Sequence, residues 1–173
     1  MKFTFALVGA SGMVGEKLLR LLETKSLPIK SLIPLGSKSA GQNITFQGKQ
    51  YEIIDLTSFE PEGIDIAIFA AGSDPARDYA QKFIQAGTYV IDLSSYYRYE
   101  DNIPLVIPPI NEAVLADLNK PAIIANPNCS TAQLLMVLKP IHDYFVIKNI
   151  NVATYDLSFL SCIPNLHIAA PRD

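Results

Sequence analysis

Short apolar runs alternate along the chain with segments of helical periodicity. Phe3–Val8 is apolar and runs into glycines, which predicts a buried strand. From Met13 to Leu22 the apolar positions Met13, Val14, Leu18, Leu21 and Leu22 recur at helical spacing around Lys17 and Arg20. Leu32–Leu35 predicts a second strand, with Pro34 marking an edge or a strand end. Ile44–Phe46 and Tyr51–Ile54 flank Gly48 and predict a small hairpin. Ile64–Ala71 is a strong buried strand ending at Gly72. The helix after it has Asp74 as N-cap, Pro75 at its first position and Gly87 just past its end. Tyr89–Leu93 reads as a strand, Leu105–Ile107 as a short proline-bounded one and Asn111–Leu118 as a helix capped by Asn111. Ala122–Ala125 predicts a short strand, Ser130–His142 a helix, and the β-branched run Ile147–Tyr155 the start of something new. Alternating strands and helices imply right-handed βαβ units, hence an α/β fold with a Rossmann-like, doubly wound, mainly parallel sheet. The expected division falls near Lys148, after the last helix, with residues 1–147 as one domain and 148–173 as the start of a second, α+β one represented by its first strand.

The first strand leads into Val8-Gly9-Ala10-Ser11-Gly12-Met13-Val14-Gly15, a G-x-x-G-x-x-G loop that opens the first helix. Glycines at such a turn permit a tight bend, close approach of a pyrophosphate and close helix–strand packing. The helix N-terminus presents free N–H groups to the phosphates. The alternative is a glycine-rich turn that binds nothing. An NAD-selective site places an acid at the end of the second strand. Here Gly36-Ser37-Lys38-Ser39-Ala40-Gly41 has two hydroxyls and a lysine but no carboxylate. That set suits a 2′-phosphate and favours NADP, the alternative being an exposed polar loop.

In Asn126-Pro127-Asn128-Cys129-Ser130-Thr131-Ala132-Gln133, Ser130 and Gln133 have capping-box spacing, which puts Cys129 at the start of a helix. Helix N-termini favour negative charge, and a thiolate so placed is a nucleophile toward a carbonyl or acyl phosphate. The alternative is a buried structural cysteine. Joined to a dinucleotide loop, the nucleophile reading points to aldehyde or acyl-phosphate oxidoreduction through a thioester.

Composition narrows the classes. Hydrophobic residues make up 49% and charged residues 18%, which excludes a disordered chain. A net charge of -3 argues against a nucleic-acid footprint. No apolar run approaches the roughly 18 residues of a membrane span. The chain starts directly in a strand without a small-residue cleavage site, so a cytoplasmic protein is expected. Two cysteines, Cys129 and Cys162, are too few for a disulfide scaffold, and no metal site is expected.

Together these segments resemble bacterial-type aspartate-semialdehyde dehydrogenase. Asp92-Leu93-Ser94-Ser95-Tyr96-Tyr97-Arg98 and Ile103-Pro104-Leu105-Val106-Ile107-Pro108, followed by Ile110-Asn111, fit the same family, and the likeness covers about residues 3 to 155. N-acetyl-glutamyl-phosphate reductase, a related family, shares the chemistry but differs in the cysteine motif. The resemblance implies reduction of aspartyl phosphate by NADPH to aspartate semialdehyde and phosphate, a step toward lysine, threonine and methionine. It implies Cys129 as the nucleophile, Arg98 as the arginine that binds substrate phosphate, and Asn128 in the same pocket. Gly9, Ser11, Gly12, Met13, Val14 and Gly15 match the pyrophosphate loop, Ser37, Ser39 and Ala40 the 2′-phosphate loop. Ala71 and Gly72 fall where the cofactor crosses the sheet. The expected partners are these small molecules, with no nucleic acid and no membrane.

The likeness breaks near its end. The family strand ends in T-Y-Q before a glycine-rich loop, whereas Thr154-Tyr155 is followed here by Asp156 and a segment without glycine. The last of nine glycines is Gly87. Pro109 stands where the family usually has glutamate. The family's second domain supplies a general-base histidine, an arginine for the substrate carboxylate and most of a homo-oligomer interface, and none of these maps onto the chain. His142 lies thirteen residues after Cys129, roughly 20 Å along a helix, and His167 falls in the divergent tail. The expectation is a truncated chain with a frameshifted tail and little activity of its own. The competing functions are an NADP-binding module and a non-catalytic remnant. The tyrosines at 96, 97 and 99 are expected to pack rather than to stack on bases.

Overall fold

The computed structural model of the protein describes residues 2–153 apart from Ser26 and Asn119. In chain order the elements are β1 (Phe3–Val8), α1 (Met13–Thr24), β2 (Ile29–Gly36), β3 (Asn43–Phe46), β4 (Lys49–Glu52) and β5 (Ile54–Asp55). They continue with β6 (Ile66–Phe69), α2 (Ser73–Gln85), β7 (Tyr89–Asp92), α3 (Pro108–Asn111) with a 3-10 turn over Glu112–Asp117, β8 (Ile123–Ala125) and α4 (Cys129–Phe145). Six strands form a parallel sheet in the order β5-β2-β1-β6-β7-β8. This is the doubly wound α/β architecture expected from the alternation of strands and helices.

The two faces of the sheet have separate cores. Ala6, Val8, Leu35, Ala67, Phe69 and Val90 pack with Ala76, Ala80 and Phe83 of α2. The alanines are four residues apart, and with no bulk beyond Cβ they let the helix lie close to the strands. Phe83 then fills the space between, edge-on to Phe69 at 5.3 Å and stacked near Phe59 at 6.2 Å. On the other face Phe5, Leu7, Leu32 and Ile68 pack with Leu19 and Leu22 of α1 and with Phe46 of the hairpin. Residues Thr4–Val8 are all buried, as a central strand covered on both faces requires.

Several local expectations change. Pro34 lies inside β2, opposite Leu7. It is tolerated because β5, the outer neighbour, pairs only with Leu35 and Gly36, so β2 is an open edge along most of its length. The hairpin turns at Gln47-Gly48, both with positive φ (50° and 73°), the geometry of a tight two-residue turn. Ile54 leaves the hairpin and joins the main sheet. The second helix starts at Ser73, with Gly72 as N-cap at φ 89°, so Asp74 and Pro75 lie inside the first turn, where a missing N–H costs nothing. Asn111 ends α3 and also stands at the N-cap position of the 3-10 turn over Glu112–Asp117, where a helix is expected, but its side chain makes no capping bond there: its Oδ1 accepts the Ile107 N–H at 2.8 Å and its Nδ2 donates to the Leu105 carbonyl at 2.9 Å. In α1 the buried positions are Gly15, Leu19 and Leu22, while Met13 and Val14 stand exposed.

The described residues up to Lys139 form one compact unit, and the described residues from Pro140 belong to a second. The division falls within α4, which has Pro140 inside it and no buried side chain. In the second unit α4 ends with the Val146 N–H on the His142 carbonyl at 2.8 Å, and residues 147–153 carry no regular secondary structure. The strand expected from Ile147 is therefore not formed in its described part. A strand needs a neighbour to take up its backbone groups, and no ladder among the described residues includes this segment. Among the described residues no helix is long and apolar enough to cross a membrane.

Tyr97 belongs to the α2-side core, where its hydroxyl donates to the Ala76 carbonyl at 3.2 Å. Burial, then the nearby Tyr96 and Asp92, push its phenol above the ordinary value. Above pH of about 10 the unfolded chain releases this proton while the folded chain keeps it, so stability falls as pH rises through that range. Urea melts at pH 8 and pH 10.5 should show a larger loss for the native chain than for Tyr97→Phe. Phe83→Ala should cost about 3–5 kcal/mol in the pH 8 melt, since the side chain is fully enclosed by both Phe59 and Phe69.

Candidate functional site

In a parallel sheet all strands end on the same edge, and here that edge gathers the glycine loop after β1, the Ser37–Gly41 loop after β2, Ala70–Gly72 after β6, the Leu93–Arg98 loop after β7 and Asn126–Cys129 after β8. The chain runs from β1 outward to β2, and β6 lies on the other side of β1. The switch point of the topology is thus the crevice between β1 and β6, where open α/β sheets bind ligands.

Backbone contact shapes that crevice. The Gly9 and Ala10 N–H groups donate to the Leu35 carbonyl at 2.8 and 3.4 Å, and the Gly12 N–H donates to the Gly9 carbonyl at 3.0 Å. Gly9 has φ +86°, and a Cβ there would stand 2.9 Å from the carbonyl carbon and oxygen of Ala70 and 3.0 Å from Ala71 Cα. A Cβ on Gly15 would stand 2.1 Å from the Gly9 carbonyl oxygen. These two glycines are therefore required by packing of one main chain on another. The N-cap of α1 is Gly12, which has no side chain to satisfy the first-turn N–H groups. Ser11, Gly12, Met13 and Val14 are exposed around it. Along the same edge Ser37, Lys38, Ala40, Ala71 and Gly72 are exposed and Ser39 is half-buried. The residues fit a dinucleotide: the glycine loop lies at the strand ends with Ser11 and Gly12 exposed, and an uncapped helix start stands on the same edge.

The cysteine side of the edge rests on polar contacts. Asn128, not Ser130, caps α4: its Oδ1 accepts the Ser130 N–H at 2.9 Å, so the helix begins one residue earlier, at Cys129. Asparagine reaches the orphan N–H two residues on without leaving its extended lead-in, which removes the need for the Ser-x-x-Gln box. Cys129 is exposed, and its Sγ lies 3.8 Å from the same Asn128 oxygen. Arg98 is half-buried and bridges the ends of β7 and β8. Its Nε donates to the Asn126 carbonyl at 2.9 Å and its Nη2 to the Leu93 carbonyl at 3.1 Å. Nη1 takes part in neither contact, and no carboxylate pairs with this guanidinium among the described residues.

Asp92, Ser94 and Asn126, which lie outside the expected site residues, organise this end of the edge. Asp92 is fully buried at the end of β7. Its two carboxylate oxygens accept the Ser94 N–H at 3.0 Å and the Ser94 hydroxyl at 2.8 Å, Ser94 Oγ accepts the Tyr96 N–H at 3.1 Å, and the Asp92 carbonyl accepts the Asn126 N–H at 2.8 Å. The Asp-x-Ser spacing is a turn signature that sequence alone offers. Tyr97 and Tyr96 pack edge-to-face at 4.8 Å, but Tyr99 is exposed, so the expectation that all three tyrosines pack holds for two. Pro109 is an exposed residue of α3. Asp156, Cys162 and His167 lie outside the described residues.

Residues 4–118 match the family described as semialdehyde dehydrogenase, NAD binding domain. Aspartate-semialdehyde dehydrogenase of Legionella pneumophila is 48% identical over 151 residues, 87% of this chain and 44% of the relative. The crystal structure of aspartate semialdehyde dehydrogenase II complexed with ASA from Vibrio cholerae superposes with a TM-score of 0.79 at 39% identity, covering 83% of this chain and 47% of that one. That of aspartate semialdehyde dehydrogenase with NADP from Candida albicans gives 0.65 at 26%, covering 84% and 48%. The chain spans about half the length of the curated relatives it matches. By sequence match and by fold alike, the chain belongs to the semialdehyde dehydrogenase NAD-binding domain family.

Proposed function

We propose that this chain is the cofactor half of an NADP-dependent, phosphorylating aspartate-semialdehyde dehydrogenase. The observation that carries the reading is the sharing of one sheet edge by a glycine cradle and an exposed cysteine at a helix start. In this reading the loop of Gly9, Ser11, Gly12, Met13, Val14 and Gly15 receives the pyrophosphate, with the uncapped first turn of α1 offering its N–H groups. Ser37, Ser39 and Ala40 border the 2′-phosphate, and Ala71 and Gly72 form the floor beneath the dinucleotide. Residues 1–147 are the dinucleotide-binding domain, and the second domain begins near Lys148. A cytoplasmic, reducing location fits a free nucleophilic thiol.

The substrate chemistry falls to the β7–β8 side. Cys129 Sγ attacks the acyl carbon of aspartyl phosphate, the C–O bond to phosphate breaks, and inorganic phosphate leaves with that electron pair, so that a thioester remains on Cys129. Arg98 holds the phosphate with the Nη1 end left over from its two carbonyl contacts, a role suited to a guanidinium. Asn128 fixes the helix start that presents the sulfur. Bound NADPH supplies the hydride that reduces the thioester to the aldehyde. Turnover is assigned to the whole length of the relatives, and these residues by themselves bind the dinucleotide and carry the nucleophile.

The test uses the chain as it stands. NADPH should bind with a measurable change in its fluorescence, while phosphate-dependent reduction of NADP with aspartate semialdehyde should be negligible. Turnover near that of a full-length relative and abolished by Cys129→Ser would contradict the division of labour, and absence of dinucleotide binding would leave only a non-catalytic remnant. Alkylation of Cys129 by iodoacetamide should be slowed by inorganic phosphate in the native chain and unaffected by it in Arg98→Ala. Equal protection in both would remove Arg98 from the phosphate site.

A further inference from the structure

Asp92 is the last residue of β7, level with Phe69 of β6 and Ala125 of β8. Side chains alternate along a strand, so it shares with Val90 the face of the sheet that α2 covers, and it is fully buried there. A carboxylate at such a position costs free energy unless its oxygens are satisfied. Here one oxygen accepts the Ser94 N–H at 3.0 Å and the other the Ser94 hydroxyl at 2.8 Å. No lysine or arginine among the described residues pairs with it. The acid therefore holds a turn and balances no cation.

That turn leads to Arg98. Ser94 Oγ accepts the Tyr96 N–H at 3.1 Å, and the Arg98 N–H then closes on the Ser95 carbonyl at 3.5 Å. The main chain of Asp92 adds a second hold, because its carbonyl accepts the Asn126 N–H at 2.8 Å. Both acceptors of the guanidinium follow from these bonds. The Leu93 carbonyl, which takes Nη2 at 3.1 Å, belongs to the next residue, and the Asn126 carbonyl, which takes Nε at 2.9 Å, belongs to the residue docked on Asp92. Cys129 follows Asn126 by three residues. One buried acid thus fixes the start of the loop that carries the guanidinium and the segment that carries the thiol.

We propose that Asp92 is a positioning residue for the phosphate-binding step: its buried carboxylate holds the turn that aims Arg98, and so sets where the Nη1 end of the guanidinium stands relative to the Cys129 thiol. The proposal rests on the reading of Arg98 as the phosphate ligand and adds to it a residue that touches neither the phosphate nor the acyl group. An asparagine at 92 keeps an acceptor for the Ser94 N–H and its amide can donate to Ser94 Oγ, so the turn survives. An alanine leaves the Ser94 N–H and hydroxyl without their partner, and the turn loosens.

Alkylation of Cys129 by iodoacetamide, read by mass spectrometry on the peptide that carries it, would be followed against the concentration of inorganic phosphate. The chains compared are the native one, Asp92→Ala, Asp92→Asn, Ser94→Ala and Arg98→Ala, with the NADPH dissociation constant measured for each. Phosphate should protect the native chain and not Arg98→Ala. Asp92→Ala and Ser94→Ala should need about tenfold more phosphate for half-protection, the scale of one hydrogen bond to a charged group. Asp92→Asn should recover most of that loss. NADPH affinity should change less than about twofold in the variants at 92 and 94, because the glycine loop shares none of these bonds. Where alanine at 92 prevents folding, Ser94→Ala carries the test, since it cuts the link between Asp92 and Tyr96 without emptying the core position. Unchanged protection in either folded alanine variant, losses that fall equally on NADPH, or an asparagine as damaging as alanine overturn the role of Asp92 and leave the Arg98 reading standing. A native chain that phosphate does not protect, or equal protection in Arg98→Ala, overturns the Arg98 reading and this proposal together.

Discussion

The arrangement depends on one close approach of main chain to main chain. Gly9 leaves β1 with a left-handed φ and lies against the Ala70–Ala71 backbone at the end of β6, while Gly15 of α1 lies against the Gly9 carbonyl. No side chain larger than hydrogen fits at either contact. Because β1 and β6 are neighbours at the point where the chain reverses its direction across the sheet, this packing sets the width of the crevice. It also brings the start of α1, with its uncapped N–H groups, over the strand ends. The two hydrophobic cores hold the sheet between its helices, but the glycines determine that its carboxyl edge stays open.

The opposite end of the same edge is organised by polar contacts. Asp92 is a buried carboxylate satisfied by Ser94, and its own carbonyl receives the Asn126 N–H. Arg98 returns across the gap to the Asn126 and Leu93 carbonyls. The loop after β7 and the approach to Cys129 are thereby fastened to each other, so the guanidinium and the thiol are placed by one network. Removing the Asp92 carboxylate would leave the Ser94 N–H and hydroxyl without their acceptor and loosen both loops.

Much of this was legible in the sequence because it is local. The glycine spacing, the strand before it and the helix after it are written in adjacent residues, and the Ser130–Gln133 spacing after Cys129 announces a helix start. The elements misplaced were those decided by distant partners. Met13 and Val14 fit the apolar periodicity of α1, but they fall past the edge of the sheet, where no core exists to cover them. Pro34 looked like a strand end because the two-residue length of β5 is not visible from β2. The cap of α4 went to Asn128 over Ser130 because both sequences of capping residues were acceptable and only backbone geometry chooses.

The central claim is that the glycine-lined crevice between β1 and β6 receives the dinucleotide. Its most direct test is an amide-resolved NMR titration of the chain with NADPH. Shifts concentrated at Gly9, Gly12, Gly15, Ser39 and Gly72, with Gly48, Gly63 and Gly87 unmoved, are the predicted result. Shifts centred instead on the apolar groove at the other end of the strands, lined by Phe3, Ile66, Tyr89 and Ile124, would contradict the account.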